Sequence, residues 1–426
     1  MRDTAIWSVP KRLGFLVLAI FLVLNAAPLL IAYVPFVGPA VLGPYMALWN
    51  VVVVWLGEHV LGLPEPITIL PNGSGDTTWN YVQLFGMVML SLIVGGAWAL
   101  VDRRRAHYAF LHHWLLVIVR HALSVTMVMY GLAKVFPLQF QFPSLTVLTQ
   151  TYGESSPMGL AWNFMGYSAA YNVFTGSAEI LGGLLLLWRR TTTLGAFVAI
   201  GLMSHIVALN FCYDIPVKLF SSTLLLMAVY LFADDARRFV DALVLGRATP
   251  ALELRPHFVG KGPRRVRAAL KALFAVQLGV MTLALWTISR DYGPGAPKPA
   301  LYGLYEVETF TLAGEVRPPL TTDEQRWRHF IVEAYGYAVV RTMDSKREFF
   351  GVDTDLDRKT IVLWQGRGNE RVRHEFTYER PTAELLILRG SLGCDPVEIT
   401  LRKRDPGDFL LVRRGFHWVN EYPFNR

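Results

Sequence analysis

The chain has 426 residues, of which 53% are hydrophobic and only 17% charged, and its mean hydropathy is +0.35. The apolar residues come in long blocks, which excludes a soluble globular protein of this length. The net charge of +8 comes from basic clusters between the blocks, without the aromatic-interleaved basic stripe of an RNA-binding surface, so we expect no nucleic acid partner.

Seven apolar blocks are each close to the ~20 residues that a helix needs to cross a bilayer. They cover residues 13–34, 81–101, 110–135, 170–188, 193–212, 216–233 and 270–289. The first block is too long for the core of a signal peptide, so we predict that it is retained as an anchor. The predicted fold class is an α-helical polytopic membrane protein.

Lys and Arg predict the orientation of the spans, because cytoplasmic loops carry an excess of both. The basic clusters are Arg2/Lys11/Arg12, 103–105, 189–190 and 237–271. Placing all four inside gives a multi-pass protein of the bacterial inner (cytoplasmic) membrane with a cytoplasmic N-terminus and an extracytoplasmic C-terminal domain. A crossing by residues 37–60 would move 103–105 outside. We therefore interpret 37–60 as a re-entrant or interfacial segment on the outer face.

Four regions follow in chain order. Residues 1–107 hold two N-terminal transmembrane helices with the outer re-entrant or interfacial segment, and residues 108–235 hold a four-helix membrane bundle. Residues 236–299 hold a basic cytoplasmic loop, the last span and a Pro- and Gly-rich linker. In residues 300–426 apolar and polar side chains alternate over short runs, as in 371–379. This alternation predicts a small antiparallel β domain, a barrel or a curved sheet.

Polar residues within or beside the apolar blocks are the candidates for function. An ionised side chain at bilayer depth costs roughly 2.5–3.5 kcal/mol even on lenient scales, so such residues usually face the interior of a bundle. The candidate ligand-binding residues are Arg120, Lys134, Glu179, His205, Cys212, Asp214 and Lys218. No pattern of a metal site or of a catalytic motif accompanies them, and whether the protein is an enzyme stays open.

Helical spacing predicts how these residues meet. One stripe, at steps of three and four, consists of Arg120, Ser124, Met127, Gly131 and Lys134. A second stripe consists of Gly176, Glu179 and Gly183, whose small residues allow a neighbouring backbone to approach. Counting about 1.5 Å per residue from the block ends places Arg120 and Glu179 near mid-membrane, which predicts that these two pair. Lys134, near the outer end, is predicted to pair with Asp214.

The remaining candidates follow the same reasoning. His205 and Cys212 share a helix face, and Pro216 breaks the chain between two spans beside Lys218. Together with Lys134 and Asp214 they are predicted to line one outward-opening cavity. Three interpretations stay open for the polar set: ion pairs that fix helix register, a site for a polar or redox-active ligand, and a proton or ion pathway.

Three sequence features also occur in a fixed order: Arg120, then GLAK at 131–134, then GSAEILGGLLLLWRRTTTLGA at 176–196. In these features the block 116–200 resembles the DoxX family of small four-helix membrane proteins, a resemblance that covers roughly 108–235. It implies a four-helix bundle whose shared polar core is Arg120, Lys134 and Glu179. It also implies an association with quinone-reducing or thiosulfate-oxidising membrane complexes. Through 72–82, 211–218 and the ending RGFHWVNEYPFNR, the whole chain is similar to a longer bacterial variety of the family.

Two functions are compatible with these patterns. The first is a redox-associated protein that binds a quinone-like or other amphipathic ligand at the buried polar site, with the lipid bilayer and membrane redox subunits as partners. Arg120, Lys134 and His205 could donate hydrogen bonds to such a ligand, and Cys212 could exchange electrons if Cys394 served as its partner. The alternative is a non-enzymatic envelope protein whose outer β domain binds a partner, lipid or glycan.

Overall fold

The computed structural model describes residues 6–32, 34, 37–69, 73–250, 261–366 and 371–425. Arg2, the first residue of the motif at 72–82 and part of the basic run 237–271 lie outside them. The chain divides into two compact units. The helical unit comprises Met1–Phe140 and Ser156–Ile288, and the β unit comprises Gln141–Ser155 and Ser289–Arg426.

The described residues of the helical unit form ten helices. Their bounds are α1 Val9–Ala32, α2 Val37–His59, α3 Thr78–Val101, α4 Ala109–Val135, α6 Pro157–Tyr167, α7 Ala169–Leu187, α8 Thr192–Cys212, α9 Lys218–Ala233, α10 Ala236–Leu243 and α11 Lys261–Tyr292, the last of which continues into the β unit; the short α5, Leu145–Leu148, belongs to the β unit.

Seven of these helices are long and apolar enough to cross a membrane: α1, α2, α3, α4, α7, α8 and the part Ala268–Tyr292 of α11. An eighth crossing is available if α9 and α10, which are bent by 69° at their junction, form one span. The predicted multi-pass architecture is therefore confirmed by the length and composition of the helices. Helix α2 passes the length and composition test as well, although the sequence predicts that it does not cross.

Helices α1 and α3 run antiparallel, so the start of α1 lies beside the end of α3. Arg12 Nη1 donates hydrogen bonds to the carbonyl oxygens of Arg103 (2.9 Å) and Arg105 (2.7 Å). Farther along, a Cβ on Gly95 would lie 3.0 Å from the backbone nitrogen of Val17. The chain thus leaves α1 and enters α3 at the same end of this pair.

Helix α2 packs against the parts of α1 and α3 that are nearest to its own ends along the chain. Tyr45 near its start donates to the carbonyl oxygen of Leu24 (3.4 Å). A Cβ on Gly86 would meet both Trp49 (3.1 Å) and Leu56 (2.9 Å). Leu24 and Gly86 each lie about 12 Å from the end of their helix that adjoins α2. The middle and the last part of α2 therefore contact α1 and α3 at a similar depth, and the re-entrant or interfacial assignment of 37–60 stays a prediction.

Helices α4 and α11 run parallel. The ring of His121 lies 5.4 Å from that of Phe274, and farther along Leu132 and Leu285 belong to one cluster of buried side chains. The chain therefore leaves the helical unit after α4 and after α11 at the same end.

The first predicted boundary, at residue 107, does not separate two packing units. Leu22 and Ala26 of α1 belong to the same buried cluster as Val119 and Leu123 of α4, together with residues of α8 and α9. Because lipid tails are as apolar as these side chains, close van der Waals packing rather than hydrophobic burial holds the helices together. Helix α1 is therefore part of the bundle that the sequence assigns to 108–235 alone.

The β unit contains nine strands among its described residues: β1 Gly303–Leu312, β2 Glu315–Val316, β3 Trp327–Val332, β4 Tyr337–Thr342, β5 Arg347–Asp355, β6 Thr360–Gln365, β7 Val372–Glu379, β8 Leu385–Leu392 and β9 Asp395–Arg404; a short helix, α12 Leu410–Arg413, follows. All neighbouring strands are antiparallel, and β1 pairs with β9. This pairing closes eight strands into a barrel and removes the free edges, while β2 only extends a hairpin beside β1.

Side chains fill the interior of the barrel. Phe310, Trp327, Phe330 and Phe376 are almost fully buried in its core. Phe376 and Tyr378 of β7 point inward while Thr377 between them is exposed, because strand side chains alternate between the two faces. The predicted β domain is therefore confirmed, and of the two forms expected the structure shows the barrel.

The segment 141–155 covers part of the outer face of the barrel. Leu145 and Leu148 pack in one cluster with Leu304, Ile331 and Val339 of strands β1, β3 and β4. The sequence places this segment inside the bundle region 108–235, whereas the structure groups it with the β unit.

A buried carboxylate holds this segment. Glu333 Oε1 accepts hydrogen bonds from the backbone nitrogen of Thr146 (2.8 Å) and from its hydroxyl (2.7 Å). Glu333→Ala is expected to cost about 1–3 kcal/mol, since two buried donors lose their acceptor. Limited proteolysis of the full chain should then cut within 141–155 faster than in the wild type. The control is Glu384→Ala, whose carboxylate is largely exposed. Equal cutting of both variants would contradict this role of Glu333.

Candidate functional site

The predicted polar stripe of α4 faces the predicted glycine stripe of α7. A Cβ on Gly131 would lie 2.6 Å from the carbonyl oxygen of Gly176, and a Cβ on Gly176 would lie 2.5 Å from that of Gly131. Ser124 Oγ donates to the carbonyl oxygen of Gly183 at 2.7 Å. The two backbones therefore touch along antiparallel helices, and both predicted stripes lie in this contact.

A buried ion pair lies in this contact. Lys134 Nζ is 2.9 Å from Glu179 Oε2, and the two side chains are only 7% and 4% exposed. Because water is excluded from both charges, each depends on the other for compensation. The glycine contact fixes the register, since Gly131 and Gly176 each precede the paired residues by less than one helical turn.

The partner of Glu179 is therefore Lys134, and the predicted pair with Arg120 does not form. Arg120 precedes Lys134 by fourteen residues, which is about 21 Å along a helix. It donates from Nη1 to Thr192 Oγ1 at 3.4 Å, at the far end of α7. The predicted pair assumed that α4 and α7 begin and end at the same depth in the membrane. The contact of Gly131 with Gly176 instead sets a register in which Lys134 lies beside Glu179.

Aromatic rings and an amide surround the ion pair. Lys134 Nζ lies 5.8 Å from the ring centroids of both Tyr130 and Phe140. Asn172, one turn before Gly176 on the same face of α7, donates from Nδ2 to the carbonyl oxygen of Phe140 at 3.0 Å. Its Oδ1 is buried and has no hydrogen-bond partner among the described residues. The amide of Asn172 and the ammonium of Lys134 thus both lie beside Phe140.

A second polar cluster lies at the start of α9. Asp76 accepts hydrogen bonds from the backbone nitrogens of Lys218 (2.7 Å) and Leu219 (3.0 Å), so it caps this helix from a distant loop. Lys218 Nζ also contacts Asp214 Oδ1 at 2.8 Å, where the side chain of Asp214 is 85% exposed. Sequence analysis did not identify Asp76, because the only local signal was its turn-rich surroundings.

The predicted outer cavity is not assembled as expected. Lys134 pairs with Glu179 and Asp214 with Lys218, so the predicted Lys134–Asp214 pair does not form. His205 and Cys212 are exposed on α8. The buried face of α8 includes Met203. His205 follows two positions later and therefore points about 200° away from that face.

The two cysteines do not form a disulfide. Cys212 and Cys394 are both free and exposed. Their electron exchange, and the ligand-binding role of the other candidates, stay predictions.

Sequence analysis also missed a group of buried polar residues in the β unit. Arg326, His329, Glu333 and Arg341 are each less than a tenth exposed. Arg341 donates to the carbonyl oxygen of Thr149 and to Glu154, both in the segment 141–155. In strands, polar residues that alternate with apolar ones are expected to face water. The segment 141–155, distant in sequence, covers Glu333 and Arg341.

The stability of the β unit is expected to depend on pH through one of these residues. Burial lowers the pKa of His329 from 6.5 to about 4. The charges of Arg328, Arg341 and Arg404 act in the same direction, and the carboxylate of Glu306 acts in the opposite direction. Between these values the unfolded chain binds a proton that the folded state does not bind. The free energy of unfolding is therefore highest above pH 6.5 and decreases as the pH is lowered, by about 3 kcal/mol near pH 4. The difference in unfolding free energy between wild type and His329→Gln should show this loss; a difference that is independent of pH would contradict it.

A bundle of membrane-length helices with an ion pair buried between two of them, joined to a closed antiparallel barrel, defines a multi-pass membrane protein with a C-terminal β domain. Neither a described protein family nor a solved structure matches the chain. Over 118 residues it is 37% identical to the uncharacterized protein YwoB of Bacillus subtilis (strain 168), a match that covers 28% of this chain and 75% of YwoB. Through this region the chain belongs to the same family as YwoB.

Proposed function

We propose that this protein is a redox-associated membrane protein of DoxX type, which binds the head group of a quinone-like amphipathic molecule beside Lys134 and Glu179. The observation that carries the proposal is the ion pair buried between two membrane-length helices. It lies near Asn172, whose side-chain Oδ1 has no hydrogen-bond partner among the described residues. Ionisable groups at such positions are costly, and they commonly mark ligand or proton sites.

The donors and acceptors of the site suit both redox forms of a quinone. The Lys134 ammonium has three N–H groups, of which one is directed to Glu179, so it can donate to a quinone carbonyl. A quinol instead carries hydroxyl groups, which can donate to Asn172 Oδ1. A site with an ammonium and a free amide oxygen can therefore bind the oxidised and the reduced head group in turn.

Access to the site from the lipid supports an amphipathic ligand rather than a soluble one. The Tyr130 side chain, which contacts Lys134, is 38% exposed on the surface of α4. A head group that enters past this ring would reach the ammonium while its apolar tail stays among lipid chains. On the other side Phe140 packs edge-on against Trp162 of α6, with ring centroids 5.0 Å apart.

The same proposal includes the orientation in the membrane. The basic groups at Arg12, 103–105 and 189–190 lie at one end of the helical unit, as the contacts of Arg12 and Arg120 indicate. The positive-inside rule makes this end cytoplasmic. The β unit is then extracytoplasmic, because the chain enters it from the opposite end. Membrane redox subunits are the proposed partners, since a bound quinone needs an electron donor or acceptor.

A titration tests the proposal. Decylubiquinone is added to the full chain in lipid nanodiscs, and quenching of tryptophan fluorescence reports binding. The double variant Lys134→Met/Glu179→Leu is expected to bind at least tenfold more weakly, while it avoids a lone buried charge. The control Asp214→Asn/Lys218→Gln removes an ion pair outside the site and should bind like the wild type. Equal affinity of both double variants would overturn the proposed site.

A further inference from the structure

A pocket lies in the β unit, on the outside of the barrel. It has a volume of about 360 Å³ and is lined by strands β1, β3 and β9, by part of the segment 141–155 and by Phe409. Its charged lining residues are Arg326, Arg328, Arg404 and Glu306, together with His329. Three guanidinium groups thus face one carboxylate.

One of these charges is buried, and its guanidinium forms no ion pair with a described carboxylate. Arg326 is 2% exposed. Its guanidinium donates to the carbonyl oxygens of Arg317 and Trp327, both at 3.0 Å, and to the sulfur of Met343 at 3.2 Å. These acceptors of the guanidinium are neutral. The nearby Asp323 carboxylate accepts from the backbone nitrogen of Arg326 at 2.9 Å and is shared with Arg317, with which it forms an ion pair at 3.1 Å. The pocket therefore has a positive potential that a buried cation maintains.

Two further groups in the pocket have unused donors. Arg328 is exposed and forms no ion pair with any residue that the structure describes. His329 is 7% exposed, and its Nδ1 is buried without a hydrogen-bond partner in the described part of the chain. Its Nε2 lies 3.9 Å from Glu306 Oε1, beyond hydrogen-bond distance.

The one carboxylate in the pocket is already compensated. Glu306 Oε1 accepts a hydrogen bond from Arg404 Nη1 at 2.8 Å. The guanidinium of Arg404 lies over the ring of Phe409, 4.5 Å from its centroid, and is thereby held in place. Arg404 compensates the charge of Glu306. The net positive charge of the pocket therefore comes from Arg328 and Arg326.

We propose that this pocket binds the anionic group, a phosphate or a carboxylate, of a small organic molecule. Arg328 forms the ion pair with the anion, and the Nδ1–H tautomer of His329 donates a hydrogen bond to it. The ring of Phe409 and the side chain of Leu148 provide an apolar surface for the rest of the ligand. The volume lies within the range of small-molecule sites, about 300–1,000 Å³, and exceeds what an inorganic anion needs. This site does not depend on the proposed quinone site.

The burial of His329 agrees with this arrangement. The low pKa of His329 keeps the imidazole neutral at pH 7, so it binds as a donor and adds no charge. A neutral ring with one unused nitrogen next to a free guanidinium is costly to bury unless a ligand satisfies it. A bound anion would supply that acceptor.

The test measures anion binding to the full chain in phosphatidylcholine nanodiscs by calorimetry. One arm uses inorganic phosphate and glycerol 3-phosphate as free anions, and the other uses short-chain phosphatidic acid as a lipid headgroup. Binding in either arm that Arg328→Gln weakens at least tenfold, and that Arg328→Lys partly restores, supports the proposal. The arm that shows the tighter binding identifies the source of the anion.

Two controls make the result decisive. Arg358→Gln removes the same charge from an exposed turn and should leave the affinity unchanged. His329→Phe, which keeps a ring but no donor, should weaken binding in the same arm as Arg328→Gln. Absence of binding in both arms, or an equal loss for Arg358→Gln and Arg328→Gln, would overturn the proposal.

Discussion

Replacing Lys134 by methionine is expected to lower the free energy of unfolding of the helical unit by about 3–5 kcal/mol. The change leaves the Glu179 carboxylate buried between α4 and α7 without its cation, in a contact where its side chain is 4% exposed. Glu179→Leu alone should have an effect of similar size, because it leaves the ammonium unpaired. Denaturation in a series of mixed micelles measures the free energy of unfolding of the wild type and of the two single variants.

The double variant Lys134→Met/Glu179→Leu should recover most of this stability, since two apolar side chains of similar volume replace the pair. Asp214→Asn is the control, because its ion pair with Lys218 is exposed at the carboxylate and should cost no more than about 1 kcal/mol. If Lys134→Met cost no more than Asp214→Asn, the ion pair would not be buried as described.

Gly176→Val is expected to prevent the close packing of α4 on α7. The added Cβ would lie 2.5 Å from the carbonyl oxygen of Gly131, a backbone atom that cannot rotate away. The helices would have to separate, which also lengthens the Lys134–Glu179 contact. Overpacking typically costs about 1–3 kcal/mol, and a backbone clash is expected to reach or exceed the upper figure. Yield of folded protein and thermal unfolding measure the effect.

Gly201→Val is the matched control for this change. Gly201 is also in the interior of a membrane-length helix, but a Cβ there would meet no atom within 4 Å. The helix propensities of the two substitutions are the same, so the difference between the variants reports packing alone. Similar stabilities of the two proteins would show that α4 and α7 do not touch at Gly131 and Gly176.

The helices and the facing stripes of the bundle were predictable from sequence because they depend on local patterns. The length of each apolar block indicates a span, and steps of three and four indicate a helix face. The partner of Glu179 was not predictable in this way. It depends on the register between two helices, which the contact of Gly131 with Gly176 fixes. The sequence contained both glycines but no measure of the relative depth of their helices.

The β unit shows the same limit at a longer range. Period-two alternation predicted strands such as β7, but the closing pair of β1 with β9 joins residues almost 100 positions apart. The burial of Glu333 and Arg341 depends on the segment 141–155, which lies almost 200 residues earlier. Polar residues on an outer strand face look solvent-exposed until a distant segment covers them. The pocket beside His329 could not be inferred from sequence for this reason.

The central claim is that a quinone-like molecule occupies the site at Lys134 and Glu179. The most direct measurement is to extract the full chain from its native membrane in lipid discs and to identify the bound amphiphiles by mass spectrometry. The wild type is predicted to retain a quinone in near-stoichiometric amount, and the double variant Lys134→Met/Glu179→Leu, recovered in folded form, is predicted to retain none above the lipid background. Equal quinone content in the two proteins, or no quinone enriched in either, would contradict the claim.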